Sequence, residues 1–202
     1  MRMAVGDSLR VFDDIGGEFH AQIADAARKA VAIDIVALLH PRAPVADTWL
    51  CPAPIKRGRI DLVAEKACEL GAAKLLPVIT ARTIVDKLNL DRLRANMIEA
   101  AEQCGRTALP ELAEPVALAK LLKEWPADRA LLFADEEGGA PLTADLCRAP
   151  AAILIGPEGG FTTAERDTIR AHRQAVAITL GPRILRAETA AIAALAVWQA
   201  LA

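Results

Sequence analysis

Tyrosine is absent from the 202 residues, and the aromatic share is only 3%. Recognition of nucleic acid by stacking bases on an aromatic platform is therefore disfavoured. Cysteine is scarce as well: Cys51, Cys68, Cys104 and Cys147 form no CxxC pair, and His20, His40 and His172 lie far apart. Those spacings do not make a zinc site, so no metal is expected and the thiols read as those of a reduced cytosolic chain. No apolar run approaches the roughly 18 uninterrupted residues of a membrane span, and residues 1–11 lack the apolar core of a signal peptide. A soluble, cytoplasmic protein with no membrane partner is the expectation. An excess of either charge is also missing, since 24 Lys+Arg stand against 26 Asp+Glu. A polyanionic partner would have to be met by local basic clusters.

What is present is core material and alternation. Hydrophobic residues make up 53% and charged residues 25%, a globular composition with ample apolar surface to bury. The first forty-odd residues read as small strands: "SLRVF" and "EFHAQIA" flank the turn "DDIGG", and "AVAIDIVALL" follows. Three strands do not close a barrel, so this piece looks incomplete alone. "HPRAP", residues 40–44, reads as a linker, which divides the chain into residues 1–44 and 45–202.

Beyond Thr48 strands and helices alternate. "TWLCPAPI" is a strand, and "GRIDLVAEKACELG" is a helix with Ile60, Val63, Ala67 and Leu70 on one face, ended by Gly71. "KLLPVIT" is a strand, "LDRLRANMIEAAEQCG" a helix stopped by Gly105, and residues 116–122 a shorter helix. "ALLFA", "AAILIG" and "AVAITLG" are strands, while "TTAERDTIRAH" and "AETAAIAALAVWQALA" are helices. Continuous apolar strands between helices indicate a mainly parallel sheet covered on both faces, with ligands beyond its carboxyl ends.

Two strand-end loops carry Gly-Pro. In "GPEGG", Gly159 and Gly160 admit positive φ and close backbone approach, and Thr162 with Glu165 has capping-box spacing. No lysine is available for a phosphate, and the loop matches neither GxxxxGK[ST] nor GxGxxG. In "LGPRILRAET", Arg183 and Arg186 flank apolar Ile184 and Leu185, suiting a ligand that is part apolar and part charged. A third cluster, Glu99, Glu102, Gln103 and Arg106, crowds a helix end, where Arg106 either offsets the negative terminus or serves a site. Arg166, Arg170 and Arg173 share one helical face and read as solvated surface.

"KACELGAAKLLPVITARTIV", "EAAEQCGRTALPEL", "LIGPEGGFTTAE" and "LGPRILRAETAAIAAL", in this order, closely resemble the RsmE family of small-subunit ribosomal RNA methyltransferases, which methylate uridine at N3. The resemblance runs from about Met3 to the C-terminus. It implies a SPOUT-class α/β domain: a parallel sheet with a C-terminal trefoil knot, a homodimer, and S-adenosylmethionine as methyl donor. It implies donor contacts from Ile155, Gly156, Pro157, Glu158, Gly159 and Gly160, and from Leu180, Gly181, Ile184, Leu185 and Arg186. "LLFADEEGG" corresponds to a further loop near the donor, with no residue assigned. Arg186 is the first choice for stabilising charge on the uridine, Arg106 the second, and Glu188 or Glu102 is a candidate proton acceptor.

The same resemblance implies a PUA-like β-barrel domain for RNA at the N-terminus. Members of the family begin further upstream with a basic segment, so a truncated domain is expected here. The first fifty residues hold five Lys+Arg against seven Asp+Glu and do not form a basic arm. Contacts to 16S rRNA are then expected from Lys56, Arg57, Arg59 and Arg82. Two other readings remain beside the methyltransferase: a non-catalytic RNA-binding or assembly scaffold that keeps the knot fold for dimerisation, and the same fold acting on a different nucleotide.

Overall fold

The computed structural model describes residues 3–28, 30–85 and 87–202. Arg2 and Lys29, two of the five basic residues counted in the first fifty, lie outside that set. Strands β1 (Ser8–Asp13), β2 (Gly17–Ala27) and β3 (Ala30–Pro41) form an antiparallel sheet in that order. The "DDIGG" turn joins β1 to β2 as expected. The Asp13 carboxylate accepts from the N–H groups of Gly16 and Gly17 at 2.5 and 3.1 Å, and these main-chain donors lower its pKa. β3 continues through Pro41, so the first residues of the expected linker belong to the strand. Its side chains are exposed along its whole length.

The rest of the chain builds a seven-stranded sheet. Its elements are β4 (Thr48–Pro52), α1 (Arg59–Glu69), β5 (Lys74–Leu75), β6 (Val78–Ile79), α2 (Leu90–Cys104), β7 (Glu111–Leu112), β8 (Val116–Ala117) and α3 (Leu118–Lys123). They continue with β9 (Ala130–Ala134), β10 (Ala140–Pro141), β11 (Ala151–Ile155), α4 (Thr163–Arg170), β12 (Ala175–Thr179) and α5 (Ala187–Leu201). The order is β10-β12-β9-β11-β4-β5-β7, with parallel pairings throughout. Every residue of β11 is buried, as a strand covered on both faces requires. One apolar cluster joins Ile60, Val63, Met97, Leu195 and Trp198 from α1, α2 and α5; the other joins Leu118, Leu121, Phe133, Phe161 and Ile169.

Several expectations change. "KLLPVIT" is not one strand: Pro77 has no N–H to continue the ladder, and the chain divides into β5 in the main sheet and β6 in a two-stranded sheet with β8. The helix expected at 116–122 starts two residues later, because Val116 and Ala117 pair with β6. β7 and β10, two residues each, are too short for periodicity to reveal. Gly105 ends α2 in the left-handed conformation as expected, at φ 72°. Trp198 of α5 is 2% exposed and belongs to the core. Burial pushes the Cys51 thiol up to about 12 and Cys68 up to about 11, so neither is a nucleophile at neutral pH. Among the described residues no helix is long and apolar enough to cross a membrane, and no cluster of three ligating side chains could hold a metal.

Candidate active site

Strands β12, β9 and β11 lie side by side and parallel, so their carboxyl ends converge. Each strand supplies one wall of a cleft of about 300 Å³. From the β11 end come Ile155, Gly156, Pro157, Gly160 and Phe161; from the β12 end come Leu180, Gly181, Arg183, Ile184 and Leu185. The β9 end contributes Asp135, Glu136, Glu137 and Gly138. The glycine-rich wall is a tight turn in which the Gly160 N–H donates to the Pro157 carbonyl at 2.9 Å. Gly160 sits at φ 66°, and a Cβ there would lie 2.6 Å from Glu136 Oε1. The capping box then starts α4, with Thr162 Oγ1 accepting from the Glu165 N–H at 3.2 Å and the Thr162 N–H donating to Glu165 Oε2 at 2.9 Å.

The structure brings most of the two Gly-Pro loops together, but not all of the residues expected there. Glu158, Gly159 and Arg186 do not line the cleft. Glu158 reaches Arg59 at 3.6 Å, and the Gly159 carbonyl accepts from Arg82 Nη1 at 2.6 Å. Arg186 is the exposed N-cap residue of α5, held by backbone conformation rather than by a side-chain bond. Ile184 is 82% exposed at the rim, so it is not the core residue its apolarity suggests.

Glu188, Arg106 and Glu102, the other three catalytic candidates, also stand outside this cleft. Glu188 Oε1 lies 3.6 Å from Arg59 Nε, and its other oxygen is buried with no partner among the described residues. Arg59 thus bridges the glycine-rich loop, through Glu158, and the start of α5, through Glu188. Arg106 and Glu102 belong to a second, larger cleft of about 950 Å³ between β1 and α2. There the Arg106 guanidinium donates to the carbonyls of Cys68 and Ala72 at 2.6 and 2.7 Å. It neutralises the end of α1 rather than of its own helix. Burial is the main cause that lowers its pKa, and the nearby Cys68 thiol acts in the opposite direction. Of the four basic residues expected at RNA, Lys56 and Arg57 are exposed, while Arg59 and Arg82 are engaged as described.

The arginine stripe of α4 is not solvated surface. Arg166 is buried, and its Nε, Nη1 and Nη2 reach Asp135, Glu137 and Glu136 at 3.0, 2.7 and 3.0 Å. Arg170, exposed as expected, adds a bond to Asp135 Oδ2 at 2.6 Å, and Arg173 is exposed beyond the end of α4. The three consecutive acids in "ADEEGG" were the available signal. They fall i, i+1, i+2 after a buried strand, where a charge cluster needs a cationic partner.

Comparison with known proteins agrees with this geometry. Residues 41–199 match the model of an RNA methyltransferase domain, and residues 1–36 that of an RNA methyltransferase PUA domain. These matches, over a parallel sheet with a strand-end cleft, define an RNA methyltransferase with a PUA-like N-terminal part. The ribosomal RNA small subunit methyltransferase E of Rickettsia conorii is 32% identical over 97% of this chain and 82% of its own length. The crystal structure of the enzyme of that name from Neisseria gonorrhoeae, bound to S-adenosyl methionine, superposes with a TM-score of 0.85 at 28% identity, covering 98% of this chain and 85% of that one. A Legionella pneumophila structure with bound cofactor SAM gives 0.88 at 34% identity, covering 98% and 84%. The chain belongs to the ribosomal RNA small subunit methyltransferase E family and is an rRNA methyltransferase.

Proposed function

We propose that the chain transfers the methyl group of S-adenosylmethionine to N3 of a uridine in 16S rRNA within the small ribosomal subunit. It acts as a cytoplasmic homodimer whose C-terminal segment, from β9 to α5, forms the trefoil knot of its class. Residues 45–202 carry the reaction, and residues 1–44 are the RNA-binding part. The observation that carries this reading is the cleft at the ends of three adjacent parallel strands, built from main chain and apolar side chains and bordered by carboxylates.

The residues present fit the donor. Its adenosine has no phosphate, so a loop without lysine is suited to it, and the bare edge of Gly181 leaves main-chain groups open to a base edge. Ile155, Leu180, Ile184 and Leu185 wall an aromatic ring, and the carboxylates of the β9 wall suit a cation. When bound, the donor supplies an electrophilic methyl on a sulfonium. The chain must align the uridine with that methyl and accommodate the negative charge that appears at O2 and O4 as the N3 proton leaves. Arg186 takes that role: it stands at the mouth of the loop, its side chain making no hydrogen bond or ion pair among the described residues. Glu188 orients Arg59, which ties the two Gly-Pro loops to each other. Lys56 and Arg57 meet RNA phosphates.

The test is methyl transfer to small subunits purified from cells lacking the endogenous activity, with nucleosides analysed by mass spectrometry. N3-methyluridine is the expected product. Donor binding without that product would assign the chain to a scaffold role, and a different methylated nucleoside would reassign its acceptor. Gly160→Ala is expected to weaken donor binding by about tenfold or more, since a left-handed alanine costs roughly 1–2 kcal/mol and its Cβ displaces Glu136. Calorimetric titration of the donor checks it.

A further inference from the structure

Resting on the reading of the cleft as a donor site, we propose that Arg166 and Arg170 are positioning residues. They hold three consecutive carboxylates in the β9 wall so that the site favours the cationic donor over the neutral thioether product.

Asp135, Glu136 and Glu137 all line the cleft, and Arg183 is the one cation among the lining residues. Behind them, one guanidinium meets all three through three different nitrogens. The second guanidinium closes on Asp135 at 2.6 Å and Glu137 at 3.6 Å. Asp135 is fully buried and Arg166 is 7% exposed, whereas Glu136 and Glu137 are 40% and 55% exposed, leaving the outer two carboxylates accessible. Three adjacent like charges repel one another at protein-surface dielectric. Without the arginines the wall would splay. Lysine cannot replace Arg166, because an ammonium is a point charge and lacks a planar fork reaching three directions.

The wall also supports the glycine turn, since the carboxylate of Glu136 occupies the space beside Gly160 where a side chain would lie. Moving Glu136 therefore alters two walls together. Donor and product share their adenosine and amino-acid parts; they differ by a methyl group and by the positive charge on sulfur. A cleft that reads shape alone treats them nearly alike, whereas a fixed negative wall separates them. The acids thus set a preference, and the arginines keep them in place.

Calorimetric titration of S-adenosylmethionine and S-adenosylhomocysteine into the full chain tests this. Arg166→Lys is expected to raise the donor Kd about tenfold, Arg170→Ala by less, with product affinity falling by a smaller factor in each. Glu137→Gln should narrow the donor-to-product ratio about threefold with product affinity held. In steady state these changes appear in the donor KM, with kcat at saturating donor close to wild type. Arg170 and Glu137 are partly exposed, so these two variants keep the test valid if Arg166→Lys folds poorly, and unfolding midpoints without ligand verify that. Equal losses for donor and product, or no loss in any variant, overturn the proposal. A wild-type chain that binds neither compound overturns the donor reading itself, a distinguishable failure.

Discussion

Arg186→Ala is expected to lower methyl transfer by about 10²–10³-fold, the scale on which a single preorganised donor to a developing oxyanion acts. The unfolding midpoint should meanwhile stay within roughly 2 °C, because an exposed side chain without partners contributes within about 0.5 kcal/mol. Apart from Arg183, the other arginines near the site are committed to internal partners. Arg59 bridges Glu158 and Glu188, Arg82 holds the Gly159 carbonyl, and Arg166 with Arg170 holds the β9 wall. Arg186 is held only through its main chain, its carbonyl accepting from the Ala190 N–H at 2.8 Å to begin α5. Removing the side chain therefore breaks nothing in the fold. Arg183 is the control: it lines the cleft, so Arg183→Ala should act on the donor KM more than on kcat. Single-turnover rates at saturating donor separate the two. A turnover loss that tracks a loss of stability would remove Arg186 from the chemistry.

The sequence exposed those features that depend on short-range physics. Gly105 at a helix end, the Thr162–Glu165 capping box and the "DDIGG" turn are local geometries that a few side chains specify, and the structure holds all three. The parallel sheet followed from continuous apolar strands separated by helices, because burial on both faces suppresses alternation. Strand order was not legible. β9 comes before β11 in the chain yet lies between β11 and β12 in space, and only that crossing makes three loops share one cleft. For the same reason the β9 wall went unassigned and the α4 arginines read as solvated. A helical stripe of positive charge looks the same from sequence whether water or a carboxylate from another element faces it. Arg59 illustrates the converse. Its position beside Lys56 and Arg57 suggests a basic surface, but Glu158 of the glycine-rich loop and Glu188 of α5, roughly a hundred residues or more away in sequence, engage it.

Arg106→Ala is the second large effect, and it is expected in stability. Two short hydrogen bonds from its guanidinium end α1 at the carbonyls of Cys68 and Ala72, with Gly71 in the left-handed conformation between them. Truncation leaves the buried Ala72 carbonyl without this donor and the Cys68 carbonyl with only main-chain N–H groups such as that of Gly71 at 3.2 Å, at the negative end of a helix, a cost of about 2–3 kcal/mol. For a chain of this size that corresponds to a midpoint lowered by roughly 10 °C. Arg106→Lys reaches one carbonyl at most and should recover only part of the loss. The residue also borders the larger cleft against the N-terminal sheet, where Asp14 Oδ1 accepts from the Leu109 N–H at 2.7 Å. Part of the destabilisation should therefore appear as looser docking of β1 and β2, visible as faster amide exchange in those strands. A direct role in catalysis predicts something else. Assayed well below both midpoints, a structural arginine leaves donor affinity and turnover per folded molecule near wild type. An arginine that meets the uridine loses turnover there while donor affinity stays intact. The carbonyl pair already satisfies the guanidinium along two of its edges, so the first outcome is the expected one.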